Sequence, residues 1–259
     1  MHARRHAALP LQGWTLLSLR PRGQHGGLRA AAARSGARLL ALSTQTIELI
    51  GNASARAALR QALNAHVLLF TSPNAVRGAK SMQALSPRRQ QRVLAVGSGT
   101  RSALGRLGIE AQAPAQMDSE GLLGMPGLVE IAGLRVSVVT GVGGRDLLAP
   151  TLRQRGAEVT RADTYRRVPV ALAARAQASL AATLATPERV VIALSSAEAL
   201  AGLLAQLPAG QRHALIRIAV VAASPRLARS AADAGFHRIA IAASARPAAL
   251  LRAAADAFV

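Results

Sequence analysis

Val67-Leu-Leu-Phe-Thr-Ser-Pro-Asn-Ala-Val76 runs from four apolar residues through two hydroxyls into a proline and an asparagine. Such a run predicts a buried strand that ends at Thr71 and Ser72 and turns straight into a helix. Ser or Thr caps a helix start, and proline is tolerated in its first turn. Hydroxyls and unpaired N–H groups then gather at the carboxyl end of the strand. Val191-Ile-Ala-Leu-Ser-Ser-Ala-Glu-Ala-Leu200 repeats the pattern position for position, 124 residues later.

The echo extends in both directions. Arg92-Val-Leu-Ala-Val96, with Gly97-Ser-Gly-Thr100 and Leu107-Gly108, is answered by Arg217-Ile-Ala-Val-Val221, with Ala222-Ala-Ser-Pro-Arg226 and Ala234-Gly235, at offsets of 125 and 127. Leu16-Leu-Ser-Leu19 with Arg20-Pro21 and Gly36-Ala37 is answered at an offset of 120 by Val136-Ser-Val-Val139 with Thr140-Gly141 and Gly156-Ala157. A repeat this long describes two related domains rather than a solenoid of stacked units.

Composition narrows the function. At 259 residues and 51% apolar content the chain has material for real cores. The absence of cysteine excludes disulfides, thiolate metal sites and cysteine nucleophiles, and fits a reducing, cytoplasmic setting. Histidines 2, 6, 25, 66, 213 and 237 show no ligand spacing, so no metal site is expected. The net charge of +20 comes almost wholly from arginine, Lys80 being the sole lysine. That charge reflects either an Arg- and Ala-rich composition or an acidic partner, since guanidinium grips carboxylate and phosphate bidentately. With only 2% aromatics (Trp14, Tyr165, Phe70, Phe236 and Phe258) there is no stacking platform for single strands, and no nucleic-acid partner is expected. The first eleven residues lack the apolar core of a leader and read as a tail. The most apolar window, 189–207, is broken by Arg189, Ser195, Ser196, Glu198 and Gln206, so no membrane span is expected.

Strand patterns are expected at 14–20, 37–42, 92–96, 109–112, 134–140, 157–161, 189–194, 215–222 and 237–242 beside the opening one. Helical patterns fall at 24–35, 53–64, 74–85, 100–107, 145–155, 171–185, 197–206, 225–234 and 247–257. Alternation of this kind implies parallel sheets covered on both faces. The fold class is therefore α/β: two doubly wound parallel-sheet domains, one of them discontinuous, joined by a two-stranded β ladder. The discontinuous domain comprises 12–42 and 169–259 and the inserted domain 53–161. Segments 43–52 and 162–168 are the linker strands, expected to pair as an antiparallel ribbon.

In open parallel sheets ligands sit at the strand carboxyl ends, where helix N-termini present free N–H groups and positive dipole ends. Six such ends carry small or polar residues. The candidates for binding an anionic ligand are Arg20, Thr71, Ser72, Gly97, Thr100, Gly141, Gly144, Arg145, Ser195, Ser196, Ser224 and Arg226. Each alone is compatible with ordinary capping; six together on a chain of this charge point to a polyanion. Gly97-Ser-Gly-Thr-Arg-Ser102 lacks the third glycine of a dinucleotide fingerprint, and Gly141-Val-Gly-Gly-Arg145 lacks the Gly-Lys-Ser/Thr of a P-loop. No carboxylate pair and no Ser-His-Asp order is present. Tyr165, the sole tyrosine, is open to two readings: a packing residue at a domain junction, or a phenol that donates a proton.

Taken in order, Phe70-Thr-Ser-Pro-Asn-Ala-Val76, Ala95-Val-Gly-x-Gly-Thr100, Ser119-Glu-Gly-Leu-Leu123, Gly141-x-Gly-Gly-Arg-x-x-Leu148, Tyr165-Arg-Arg167 and Ser224-Pro-Arg-Leu-Ala228 resemble the uroporphyrinogen-III synthase family. The resemblance runs from about Trp14 to the C-terminus. It implies a cofactor-free enzyme of tetrapyrrole biosynthesis that closes hydroxymethylbilane, a linear octacarboxylate, with loss of water and inversion of the last pyrrole ring. It also implies a monomer that receives its substrate by hand-over from the bilane-forming enzyme. Tyr165 is carried over as the group that helps the hydroxyl leave, and Ser72, Thr100 and Ser196 as groups lining the site. The chain departs from the family pattern at Arg101, where Ala is usual, at Thr140, where Arg is common, and at Ser43, where Pro is usual. A second reading is accordingly a family member without turnover that binds an anionic ligand or nucleic acid.

Overall fold

The computed structural model describes residues 9–143 and 147–259. The chain divides into two compact units, one formed by the chain up to Thr46 together with Val168–Val259, the other by Ile47–Arg167.

In chain order the elements are β1 (Thr15–Ser18), α1 (Gly26–Arg34), β2 (Arg38–Ala41), β3 (Gln45–Leu49), α2 (Ala53–Ala62), β4 (Val67–Phe70), α3 (Pro73–Met82), β5 (Arg92–Ala95), α4 (Ser98–Gly105) and α5 (Ser119–Leu123). They continue with β6 (Arg135–Gly141), α6 (Leu148–Gln154), β7 (Glu158–Pro169), α7 (Ala174–Leu184), β8 (Val190–Leu194), α8 (Ala197–Gln206), α9 (Ala209–Ile216), β9 (Ala219–Ala222), α10 (Pro225–Asp233), β10 (Ile239–Ile241) and α11 (Pro247–Phe258). The helix starts follow local chemistry. Proline opens α3, α10 and α11, where its missing N–H would have had no partner. Asn52, Ser72, Asp118, Ser196 and Ser224 each cap a helix by accepting from the N–H three residues on.

The first unit holds a sheet in the order β10-β9-β8-β1-β2 and the second a sheet in the order β3-β7-β6-β4-β5. The pairs β1–β2, β1–β8, β8–β9 and β9–β10 in the first sheet and β4–β5, β4–β6 and β6–β7 in the second are parallel. Each sheet buries both faces. In the first, Leu17, Ile192, Leu194 and Val220 face one apolar cluster while Leu16, Val191, Ala193 and Val221 face the other. In the second, Leu68, Phe70 and Val139 point one way and Val67, Leu69 and Val138 the other. Period-two alternation with both sides apolar is what a sheet sandwiched between helices requires.

The repeat is kept down to the register. Val67 lies opposite Val136 in the second unit, and the repeat counterparts Val191 and Leu16 lie opposite each other in the first. Val136 lies opposite Val159, as Leu16 lies opposite Leu39. On the other side Val67 meets Arg92, whereas Val191 meets Ala219, so the strand after each opening motif is offset by 127 residues throughout, not 125. The difference comes from α9. Its residues share the 209–216 stretch with only Leu215 buried, and the expected strand at 215–222 begins four residues late at Ala219. Three other expectations change. Residues 109–112 form a single bridge, Gln112 to Leu94, rather than a strand. The separate strand at 157–161 and the return segment after it are one twelve-residue strand, β7. The helix expected from 145 begins at Leu148, and its first two residues lie outside the described chain.

Candidate functional site

In the second unit the end of β4 is tied to the end of β6. Thr71 donates its backbone N–H to Val139 O at 3.1 Å and its hydroxyl to Thr140 Oγ1 at 2.7 Å. Ser72 accepts from the Ala75 N–H at 3.0 Å and donates to the Tyr165 hydroxyl at 3.1 Å. Arg167 also donates to that phenol oxygen, at 3.3 Å, and its guanidinium lies 5.5 Å from the ring centroid. A phenol oxygen accepts two hydrogen bonds and donates one. With both acceptor positions filled, its own hydrogen is the part left to give.

Tyr165 is 2% exposed, and its place depends on Gly141. The register of β6 against β7 shifts between Thr140 and Gly141, which sets Tyr165 opposite Gly141. A Cβ on Gly141 would fall 2.4 Å from the ring's Cζ, so no other residue leaves the ring where it is. The preceding residue locks α3 to the same strand: Thr164 shares its hydroxyl hydrogen between Ala75 O at 3.2 Å and Thr140 O at 3.1 Å. Gly78 allows the approach, since a Cβ there would lie 2.3 Å from Thr164 O.

The start of α4 lies beside that of α3, Gly99 being placed so that a Cβ would sit 3.6 Å from Pro73 Cγ. Gly97 precedes α4 in extended conformation and Thr100 is buried within it. The structure thus brings Thr71, Ser72, Thr140, Gly141 and Tyr165 together, with Gly97 and Thr100 on the neighbouring helix start. Gly144 and Arg145 lie outside the described residues.

In the first unit Ser196 accepts from the Ala199 N–H at 3.2 Å and Ser224 from the Leu227 N–H at 3.4 Å, both as helix caps. Ser195 is partly buried beside its neighbour, and Arg226 is exposed. Arg20 behaves differently. Its Nη2 donates to Ala245 O at 3.1 Å, while its Nε is buried without a partner among the described residues. Burial lowers its pKa, and as a guanidinium it stays charged.

Around it lies a network that the sequence does not announce. His25 meets Ser18 Oγ through Nδ1 and Ser43 Oγ through Nε2, each at 2.8 Å, and Ser43 donates to Arg20 O at 3.1 Å. His25 is 8% exposed and its pKa is lowered, first by burial and then by the charges of Arg29 and Arg20. Contacts spanning seven and eighteen residues carry no periodic signature, and only the proximity of Arg20-Pro21 to a histidine could have drawn attention to them.

Two cavities lie elsewhere. One of about 580 Å³ opens at the amino ends of β1, β2 and β8, between Arg38, Ser179, Thr183 and Arg189. One of about 350 Å³ adjoins β5 near Arg88, Arg92 and Gln112. Neither is lined by a candidate residue from the carboxyl ends of the strands, which are the positions a parallel sheet offers a ligand. Among the described residues no helix is long and apolar enough to cross a membrane, and no group of three or more His, Cys, Asp or Glu could hold a metal.

A family model described as uroporphyrinogen-III synthase HemD matches residues 27–252. The chain is 36% identical over 108 residues to uroporphyrinogen-III synthase of Salmonella typhimurium, covering 41% of this chain and 42% of that one. It is 48% identical over 52 residues to the Escherichia coli protein of the same name, covering 20% and 21%. These alignments span less than half the length of the relatives. The fold is similar to that of a mutant uroporphyrinogen III synthase from Thermus thermophilus, with a TM-score of 0.61, 20% identity, and coverage of 92% of this chain and 96% of that one. It is also similar to uroporphyrinogen-III synthetase from Helicobacter pylori, with a TM-score of 0.59, 13% identity and coverage of 94% and 99%.

Proposed function

The chain belongs to the uroporphyrinogen-III synthase family, and from that premise we propose that it closes linear hydroxymethylbilane to uroporphyrinogen III, losing water and inverting the last pyrrole ring. The observation that carries this reading is the family match across residues 27–252, which takes in every candidate position except Arg20. The geometry supports it. An octacarboxylate suits helix starts whose N–H groups and hydroxyls are preset for oxygen, and a guanidinium with an open donor suits a carboxylate arm.

The bilane's hydroxyl leaves with a proton as water and its carbon becomes an electrophilic azafulvene. The last ring attacks it through the α-carbon that already carries the neighbouring bridge. That older bridge bond then breaks, leaving the bridge carbon as a second azafulvene. The ring's unsubstituted α-carbon bonds to it and loses its proton, which closes the macrocycle with the ring inverted. In this proposal Tyr165 supplies a hydrogen bond to the departing oxygen, while Ser72, Thr71, Thr100, Gly97 and Gly141 in the second unit and Arg20, Ser195, Ser196, Ser224 and Arg226 in the first hold the arms. The roles of Gly144 and Arg145 are proposed on the motif alone. The rest of the rate comes from positioning a substrate that is reactive by itself. No cofactor enters the proposal. Cytoplasmic location, a monomeric state and receipt of the bilane from the enzyme that makes it belong to the same proposal.

Supplying hydroxymethylbilane and separating the product isomers by chromatography tests it. The type III isomer is expected in excess; exclusive formation of the symmetric type I isomer would overturn the assignment of activity and leave the chain an anion-binding member of the family.

A further inference from the structure

The hydrogens around His25 can be counted. Ser43 has one hydroxyl hydrogen, and it goes to Arg20 O, which is an acceptor only. The 2.8 Å contact between Ser43 Oγ and His25 Nε2 therefore needs its hydrogen from the ring. Nε2 carries the proton, Nδ1 is the bare nitrogen, and the Ser18 hydroxyl donates to it. Every group in the relay is satisfied by a neutral imidazole in this one tautomer. The charged groups acting on the ring, Arg20 and Arg29, are both cations and favour that neutral form.

The relay ends on the backbone of Arg20, the residue whose side chain has an unexplained feature. A buried N–H of a charged group without an acceptor is costly and rare in native proteins. One edge of the guanidinium is held by Ala245 O, while the Nε–H remains open. Its natural complement is an anionic oxygen, and a carboxylate accepts such a donor with the strength of a charge-assisted bond.

We propose that His25 is a positioning residue: through Ser43 it fixes the main chain at Arg20, and so holds the open Nε–H of the Arg20 guanidinium for a carboxylate arm of the substrate. This inference rests on the function proposed above and adds the group that sets one arm contact. His25 itself touches no substrate. Its effect should therefore appear in substrate binding rather than in the chemical step.

Two replacements separate the relay from mere packing. His25→Gln can keep a donor near the Nε2 position, towards Ser43, whereas His25→Asn keeps only the Nδ1 side, towards Ser18. Loss of one charge-assisted hydrogen bond corresponds to about a tenfold change in affinity. His25→Asn is expected to raise KM about tenfold with kcat within about twofold, His25→Gln to stay within about threefold of the native KM, and Ser43→Ala to match His25→Asn. The double variant His25→Asn/Ser43→Ala should be no worse than either single one, as for residues on one path. Imidazole ¹⁵N shifts of the native protein should show the Nε2–H tautomer. Equal KM changes for Gln and Asn, a fall in kcat at constant KM, or a proton on Nδ1 would each overturn the relay. Should His25→Asn fail to fold, Ser43→Ala, which removes one atom, decides the matter alone. Production of only the type I isomer by the native protein would count against the proposed function; a native protein that makes type III while these variants keep its KM would count against the relay alone.

Discussion

Replacing Tyr165 by Phe deletes one oxygen and leaves the ring on Gly141, so its cost can be apportioned. Two hydrogen bonds disappear, from Ser72 at 3.1 Å and from Arg167 at 3.3 Å. Ser72 keeps the Ala75 N–H as a donor to its oxygen and Arg167 keeps its place 5.5 Å from the ring centroid, so neither loses all its partners. The partly buried Ser72 can turn its hydroxyl to water. A loss of about 1–2 kcal/mol follows, from one neutral pair and one bond from a partly exposed charged donor, and for a chain of this size that lowers Tm by about 2–8 °C. The catalytic expectation is larger. A general acid contributes roughly 10² or more to the rate, and because the bilane is reactive by itself the fall in kcat should be about 10²-fold without abolishing turnover. Steady-state kinetics with isomer separation, alongside a thermal melt, read both quantities. An unchanged kcat with a small fall in Tm would refute the proton-donor role and leave Tyr165 as the residue that packs β7 against Gly141.

Two further outcomes follow from the geometry. Gly78→Ala should lower the urea midpoint by the equivalent of about 1–3 kcal/mol, as overpacking does; in a helix interior the same change normally gains about 1 kcal/mol, so an unchanged or raised midpoint would disprove the contact between α3 and Thr164 O. His25 has a folded pKa below its unfolded value, so the unfolded chain takes up its proton first and stability should be lost as pH falls from about 6.5 towards the lowered folded value. His25→Gln should flatten that part of the stability profile, and a profile identical to the native one would remove the assignment of a neutral buried ring.

Elements whose signals are local were legible in the sequence. The strand and cap at Val67–Ser72 and its repeat at Val191–Ser196 are read from apolar runs, hydroxyls and the residue after them, and the structure forms both with the cap bonds expected of them. Helix α9 was not legible, because its single buried residue, Leu215, joins an apolar run that continues into β9. The long β7 looked like two pieces because its outer half is charged, with Asp163, Arg166 and Arg167 in line; Arg166 pairs with Glu48 across to β3 at 2.7 Å, which makes a charged segment workable as a strand. The candidate site divides in the same way. Ser72 and Ser196 follow from capping rules, whereas the meeting of Ser72 with Tyr165 spans 93 residues and depends on a register shift that no pattern foretells. Arg20 could be placed at a strand end, but its bond to Ala245, 225 residues away, and its unpartnered Nε belong to packing alone.

The repeat makes a last comparison possible. The 120-residue offset that places Val136 on Leu16 and Val159 on Leu39 also places Thr140 on Arg20, Gly141 on Pro21 and Tyr165 on Gln45. The hydroxyl caps are retained on both sides, Ser72 against Ser196, each accepting from the N–H three residues on. What differs is the residue beside the cap. In one unit a small hydroxyl and a glycine make room for a phenol with a hydrogen to donate; in the other the corresponding strand end carries the half-buried Arg20, whose main-chain carbonyl accepts from Ser43 beside His25. The capping chemistry is common because both units must close a strand against a helix start. The flanking residues are free to diverge because the sheet does not depend on them. Under the proposed function, the shared caps would serve carboxylate arms that are alike, and the phenol present in one unit only would serve the single hydroxyl that leaves.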